Sequence, residues 1–262
     1  MSRLRAGLRF LSLLAHILNG MLTVLLLFPF LDAVEREKRL TRWANRLLQI
    51  VGVKLTVRGR PPVVRGGGAL IVANHVSWLD IYLIHSLLPA RFISKAEVRD
   101  WPVIGWLADK AGRTLFLERT RKADTKRMNH DMADHLRAGE CLALFPEGTT
   151  TDGAELLPFY ASLFQPAVEA EAMVWPTLIR YLDVNGERSE EAAYYGEISM
   201  LESLFRIVRQ PAIHAEITFL PPIASRGLRR RELAAQTEQL IRESLAAAER
   251  GSPPGSADRL LA

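Results

Sequence analysis

The chain is nearly devoid of cysteine: Cys141 is the single one in 262 residues, which excludes a disulfide framework and a cysteine-rich zinc site. No G-x-S-x-G nucleophile elbow occurs, and Cys141 lies inside an apolar run where a thiol is ordinarily inert, so covalent catalysis has no motif behind it. Also missing are internal repeats, a linker within the body of the chain, and any bias toward disorder, collagen or coiled coil. The composition is instead ordinary for a globular protein, at 48% hydrophobic and 24% charged residues. The basic residues border apolar stretches without an interleaved aromatic stacking platform, which argues against nucleic acid. What remains is enough chain for one large domain or two small ones. Its 34 Lys and Arg against 29 Asp and Glu leave a net charge of +5, a balance that favours an anionic partner such as an acidic protein, a phosphorylated metabolite or a membrane surface.

From Phe10 to Leu31 runs a segment of 22 residues without formal charge, interrupted by His16, Asn19, Gly20 and Pro29. As a helix it is about 33 Å long at ~1.5 Å per residue, enough to cross a hydrocarbon core. It is too long for the apolar stretch of a signal peptide and lacks a small-residue cleavage site before the polar residues that follow. Arg3, Arg5 and Arg9 precede it; Arg36, Lys38, Arg39, Arg42 and Arg46 follow it, so the positive-inside rule does not orient it. Within 38–51, Leu40, Trp43, Leu47 and Ile50 recur at helical spacing with arginines opposite, the pattern of a helix lying in a membrane interface. Two arrangements fit: a hairpin with both ends on one side of the membrane, or a single-pass anchor. At the other end a charged helix begins near Arg226, followed by a polar, proline-rich tail. The expected organisation is a membrane anchor over 1–52, a catalytic domain over 53–225, and a C-terminal helix and tail over 226–262.

In the body, short β-prone runs at 54–59, 69–74, 90–95, 113–118, 141–146, 173–182 and 214–223 alternate with helical stretches. That alternation predicts an α/β fold, a largely buried sheet flanked by helices. Asn74 and His75 stand at the end of the second run and Asp80 stands five residues on. On an ideal helix five residues turn through about 500°, so the two side chains meet only if His75 sits in the turn ahead of the helix. A carboxylate accepting from one imidazole nitrogen fixes the tautomer and raises the basicity of the other, which makes a general base. The bland alternative is a histidine that caps the helix and an aspartate that faces water. At 145–149 a buried run breaks into Pro-Glu-Gly-Thr, where Gly148 permits close approach of a ligand and Glu147 and Thr149 offer an acceptor and donors. Arg119 follows another apolar run, beside Arg121, Lys122, Lys126 and Arg127; its planar fork suits a phosphate, while the plain reading is a solvated basic face.

Taken in order, NHVSWLD at 74–80, the strand ending in Arg119, FPEGT at 145–149 and the proline-bearing VWPTLI at 174–179 resemble the four sequence blocks of the lysophospholipid acyltransferase family. The resemblance covers about 40–222 and includes the 1-acyl-glycerol-3-phosphate acyltransferases. It implies a mixed α/β sheet of the glycerolipid acyltransferase type, preceded by a membrane-associated helical pair. By the same resemblance His75 is the general base, Asp80 its orienting partner, and Arg119, Glu147, Gly148 and Thr149 bind the acceptor. Pro176 belongs to a block associated with the acyl donor and with shaping the site. No metal or cofactor is implied. The partners implied are a lyso-lipid, a membrane, and acyl-CoA or acyl-carrier protein as co-substrate, at the cytoplasmic face of the inner or plasma membrane.

The reaction expected is acyl transfer from a thioester to a lyso-lipid hydroxyl through a ternary complex, with 1-acyl-glycerol-3-phosphate as the first expectation for the acceptor. Backbone amides after His75 or in the Gly148 turn are the candidates for an oxyanion site. One departure bears on the acceptor. Many family members carry arginine after FPEGT, where this chain has Thr150, and the loop is similar to that of lyso-ornithine lipid acyltransferases, whose acceptor lacks phosphate. A hydrolase using the same histidine and a non-catalytic lipid-binding protein are the rival classes. Product analysis separates the first; the second predicts damage to His75, Asp80 or FPEGT, all of which are intact.

Overall fold

The computed structural model describes residues 3–63, 68–117 and 122–250. The chain opens with a helical hairpin, α1 (Arg3–Leu26) and α2 (Ala33–Val51). Pro29 lies in the turn between them, and Asp32 starts α2 by accepting the Glu35 N–H at 2.8 Å, an N-cap that occupies an otherwise orphaned donor. The helices meet at Gly20, where a Cβ would lie 2.6 Å from the Trp43 indole nitrogen. Trp43 in turn donates to the His16 carbonyl at 3.2 Å and its ring stacks on the His16 ring at 4.8 Å.

All seven β-prone runs are strands: β1 (Val53–Arg58), β2 (Ala69–Ala73), β3 (Arg91–Lys95), β4 (Thr114–Leu117), β5 (Cys141–Leu144), β6 (Met173–Leu182) and β7 (Ile213–Phe219). A short β8 (Ile223–Ala224) follows β7 after Pro221 and Pro222, whose missing N–H groups interrupt the ladder. Among the described residues the eight strands make one mixed sheet in the order β1-β7-β6-β2-β5-β3-β4, with β8 alongside the start of β6. Strands β6, β2, β5, β3 and β4 are mutually parallel, and β7 is antiparallel to β6. Between them run α3 (Leu79–His85), α4 (Ile104–Lys110), α5 (Lys122–Arg137), α6 (Gln165–Glu169) and α7 (Met200–Arg209), and α8 (Arg230–Glu249) closes the described chain.

Every residue of β2 is buried, as a central parallel strand requires, and its side chains alternate between two cores. Ala69, Ile71 and Ala73 pack with Leu47 and Val51 of α2, Leu79 and Leu83 of α3, and Ile207 of α7. Leu70 and Val72 pack on the other face with Met132 of α5, Ala167 of α6, and Leu233 and Ile241 of α8. The C-terminal helix is thus built into a core, and the tail beyond residue 250 lies outside the described residues.

The apolar stripe of α2 differs from the interfacial reading. Leu47, Leu48 and Val51 are at most 3% exposed, and Trp43 and Ile50 pack against the same core, because the sheet otherwise leaves that face uncovered. The exposed apolar surface lies on α1 instead. Leu4, Leu8, Leu11, Leu14, Leu18, Leu22 and Leu25 form one exposed ridge at three- and four-residue spacing. The N-terminal half of α1 is held to the domain, with Arg9 donating to the Gln210 carbonyl at 2.7 Å and Phe10 stacked on Phe205 at 5.2 Å. The two helices thus form a hairpin docked on the domain.

Candidate active site

The site stands at the C-terminal ends of β2 and β5, where a parallel sheet presents groups to ligands. Asn74 ends β2 by acting as a backbone mimic: its amide donates to the Ile179 carbonyl at 2.9 Å and accepts the Ile179 N–H at 2.7 Å. This clip fixes the chain where it leaves the sheet. His75 then occupies the turn before α3, the placement that its spacing to Asp80 demands.

His75 Nδ1 lies 2.8 Å from Asp80 Oδ2. The same oxygen accepts the Val76 and Ser77 N–H groups at 2.8 and 3.0 Å, while Oδ1 accepts the Tyr181 hydroxyl at 2.7 Å. Asp80 is 0% exposed, and these four are its donors among the described residues. A carboxylate only accepts, and Nδ1 must therefore carry the ring hydrogen, which leaves the opposite nitrogen with a free lone pair. Burial, then the charge of Asp80 and its hydrogen bond, push the Tyr181 hydroxyl well above its ordinary pKa, so it stays a donor. Tyr181 has no counterpart in the sequence reading; its one signal is a polar tip on an inward position of an apolar strand, which requires a buried partner.

The imidazole face is fixed as well. It stacks on Phe145 with ring centroids 3.9 Å apart and planes 5° from parallel. The His75 N–H donates to Glu147 Oε1 at 2.7 Å, and the Leu157 N–H donates to Glu147 Oε2 at 2.8 Å. Glu147 is 4% exposed with both oxygens occupied by backbone amides, and it stands behind the cavity wall rather than in it. Through those two bonds it joins the β2 turn to the β5 loop. Burial raises its carboxyl above the usual range, against the lowering effect of those two amides. The loop is braced in turn by α8, where Glu238 accepts the Phe159 N–H at 2.9 Å.

Gly148 adopts φ +70, and a Cβ there would lie 2.9 Å from the Tyr160 ring, so both conformation and space require glycine. Thr151 closes the loop over the histidine by donating its N–H to the His75 carbonyl at 2.9 Å. Asp152 accepts the Ala154 N–H at 2.9 Å and is paired with Arg188 at 2.7 Å; these bonds hold its carboxyl below the usual range. The Val76 and Ser77 amides are both directed at Asp80, so these two are not free to hold an oxyanion. Pro176 is buried in β6 beside the gap between β7 and β8, where the Leu220 N–H reaches its carbonyl at 2.9 Å; it shapes the sheet and does not line the cavity. Arg119 lies outside the described residues.

His75, Gly148, Thr149 and Thr150 open onto a cavity of about 700 Å³. Its walls are largely apolar and come from α1, α2, α3, α4 and β3, including Val24, Trp78, Phe92, Trp101 and Leu107. Three arginines of α2, Arg39, Arg42 and Arg46, also line it, the first two sharing Glu35 at 3.3 and 3.0 Å. The arrangement offers an oriented base beside a space for a hydrocarbon chain, with positive charge along one wall.

Comparison with known proteins bears on this arrangement. Residues 54–180 match the family model described as Acyltransferase. The chain is 40% identical over 251 residues to a lyso-ornithine lipid O-acyltransferase of Pseudomonas aeruginosa, covering 94% of this chain and 95% of that one. It is 34% identical over 186 residues to a 1-acyl-sn-glycerol-3-phosphate acyltransferase of Neisseria meningitidis, covering 71% and 72% of the two chains. The crystal structure of the 1-acyl-sn-glycerophosphate acyltransferase of Thermotoga maritima has the same fold, with a TM-score of 0.65 at 21% identity over 92% of this chain and 98% of that one.

Proposed function

The chain belongs to the acyltransferase family, as an enzyme of the lysophospholipid acyltransferase type, and on that premise we propose that it esterifies the free hydroxyl of lyso-ornithine lipid. The observation that carries the reading is the His75–Asp80 pair at 2.8 Å on the wall of an apolar cavity. The free nitrogen of His75 takes the proton of the acceptor hydroxyl as its oxygen attacks the thioester carbonyl. The C–S bond breaks as the C–O bond is completed, and the proton passes from the imidazolium to the departing thiolate. Asp80 keeps the tautomer and stabilises the imidazolium; Tyr181 and the two amides hold Asp80. Gly148 and Thr149 lie against the acceptor, and Arg119 is retained from the sequence as a candidate contact to it. The acyl chain occupies the cavity.

The choice of acceptor rests on the near full-length similarity to a lyso-ornithine lipid enzyme and on Thr150, which brings no guanidinium to a phosphate. Lysophosphatidate is the second reading, favoured by Arg119 and by the Neisseria relative. The donor is acyl-CoA or acyl-carrier protein, whose phosphates suit the arginines of α2. The enzyme rests on a membrane through the leucine ridge of α1, at the cytoplasmic face where thioesters are found. A labelled acyl thioester offered with lyso-ornithine lipid, lysophosphatidate and lysophosphatidylcholine in detergent tests the reading. Ornithine lipid is the expected product by mass; free fatty acid alone would mean a hydrolase, and phosphatidic acid alone the second acceptor.

A further inference from the structure

A row of rings leads away from the reaction centre along the wall of the cavity. Centroids are 3.9 Å apart from His75 to Phe145, 5.8 Å from Phe145 to Phe92, and 4.9 Å from Phe92 to His85. Phe92 pairs with Ala143, two residues before Phe145, so the row runs back along the sheet from the C-terminal ends of its parallel strands toward their N-terminal ends. All four rings line the one cavity, as does Arg113 just before β4. An apolar chain starting beside His75 and following this wall therefore reaches an imidazole and a guanidinium.

Arg113 is satisfied there by Glu37 and Glu140. His85 is not. It is 7% exposed, its Nδ1 is enclosed without a hydrogen-bond partner, and no group among the described residues bonds to either ring nitrogen. Burial, with the charge of Arg113 adding to it, pushes its pKa down to about 3, so the ring is neutral and carries one N–H. An enclosed lone pair is tolerated better than an enclosed donor, which puts the hydrogen on Nε2. A donor without a protein acceptor, on the wall of a ligand cavity, is a recognition group for a ligand oxygen.

We propose that His85 is a specificity-determining residue that binds a hydroxyl carried on the acyl chain far from its carbonyl, so that the enzyme selects hydroxylated chains. The proposal rests on the reading that this cavity holds the acyl chain, and it is tested without turnover. A fluorescent fatty acid bound to the full chain in detergent is displaced by palmitic acid or by acids of equal length bearing a hydroxyl at mid-chain or at the methyl end. One hydroxylated acid is expected to bind about tenfold tighter than palmitic acid, the worth of one recovered hydrogen bond. His85→Phe should bring that ratio close to one, whereas His85→Gln, which keeps a side-chain donor, should preserve most of it. Equal binding of all acids to the wild type means that water serves His85 and overturns the proposal. So does a preference that survives in His85→Phe. If acyl transfer proceeds in the wild type while the preference is missing, only the subsite fails; if no acid displaces the probe, the cavity assignment fails with it.

Discussion

Two histidine–carboxylate pairs in this protein share one spacing and one distance. His75 and Asp80 are five residues apart with Nδ1 2.8 Å from the carboxylate, and so are His135 and Glu140. Their surroundings differ. Asp80 is wholly buried and receives four donors, and His75 opens onto the cavity. Glu140 has a side chain 29% exposed, lies just before β5 at the opposite edge of the sheet, and is shared with Arg91 at 2.9 Å. The first pair is an oriented base at the ligand edge; the second is an ion-pair lock between α5, β3 and β5. Spacing and distance alone do not make a catalytic pair. The edge of the sheet does, together with the desolvated contacts that leave one nitrogen free.

The widest separation between the two pairs is expected in turnover. His75→Ala should lower kcat by about 10²- to 10⁴-fold, while His135→Ala should leave it unchanged and cost within about 1 kcal/mol of stability. Thiol release with the preferred lyso-lipid checks both, and comparable losses in the two variants would erase the distinction. Tyr181→Phe removes one of the four bonds to Asp80; we expect a fall in kcat of about tenfold and a stability loss of about 1–2 kcal/mol, read by turnover and urea unfolding. A variant with wild-type turnover would show that the tyrosine serves the fold alone.

Glu147, which braces the first pair, and Glu140, a member of the second, should also respond to pH with opposite signs. Glu147 is raised in the folded state above its unfolded value of about 4.3, so its contribution falls as pH rises from about 4 through the folded pKa and is flat beyond. Partial burial acts to raise Glu140, but bonds and charge from His135 and Arg91 outweigh it and hold the carboxyl below its usual range. Its stabilisation is present above about pH 4.3 and is lost as pH falls through the folded pKa. In urea midpoints measured against pH, Glu147→Gln should flatten the first slope and Glu140→Gln the second. Two variants that flatten the same limb would contradict the assignment. Smaller still is the effect expected of Thr150→Arg: a gain of about tenfold for lysophosphatidate relative to lyso-ornithine lipid, from one added charge-assisted contact. Unchanged preference in a competition assay would place acceptor choice elsewhere, with Arg119 the next residue to vary.

Much of the site was legible because it is local. The turn holding His75, the return of Asp80 and the Gly148 bend lie within short stretches whose spacing carries the geometry. The bonds of Glu147 were not legible because its partners, the His75 and Leu157 amides, belong to different loops and no side-chain pattern announces a backbone donor. Tyr181 escaped for a similar reason: it reaches Asp80 from 101 residues away, across the neighbouring strand. The stripe of α2 was legible as amphipathic, but amphipathicity does not say whether lipid or protein covers it.

By itself the sequence determined the alternation of buried strands and helices, the hairpin's apolar character, and a histidine and an aspartate close enough along the chain to meet. These follow from local periodicity and turn chemistry, which act over a few residues. Only the tertiary structure decided which of two equal pairs faces a cavity, which helix face meets the core, and that an unpartnered imidazole lines the same cavity. Those outcomes depend on strand order and on desolvation by residues far apart in the chain, and neither is written in any short stretch of it.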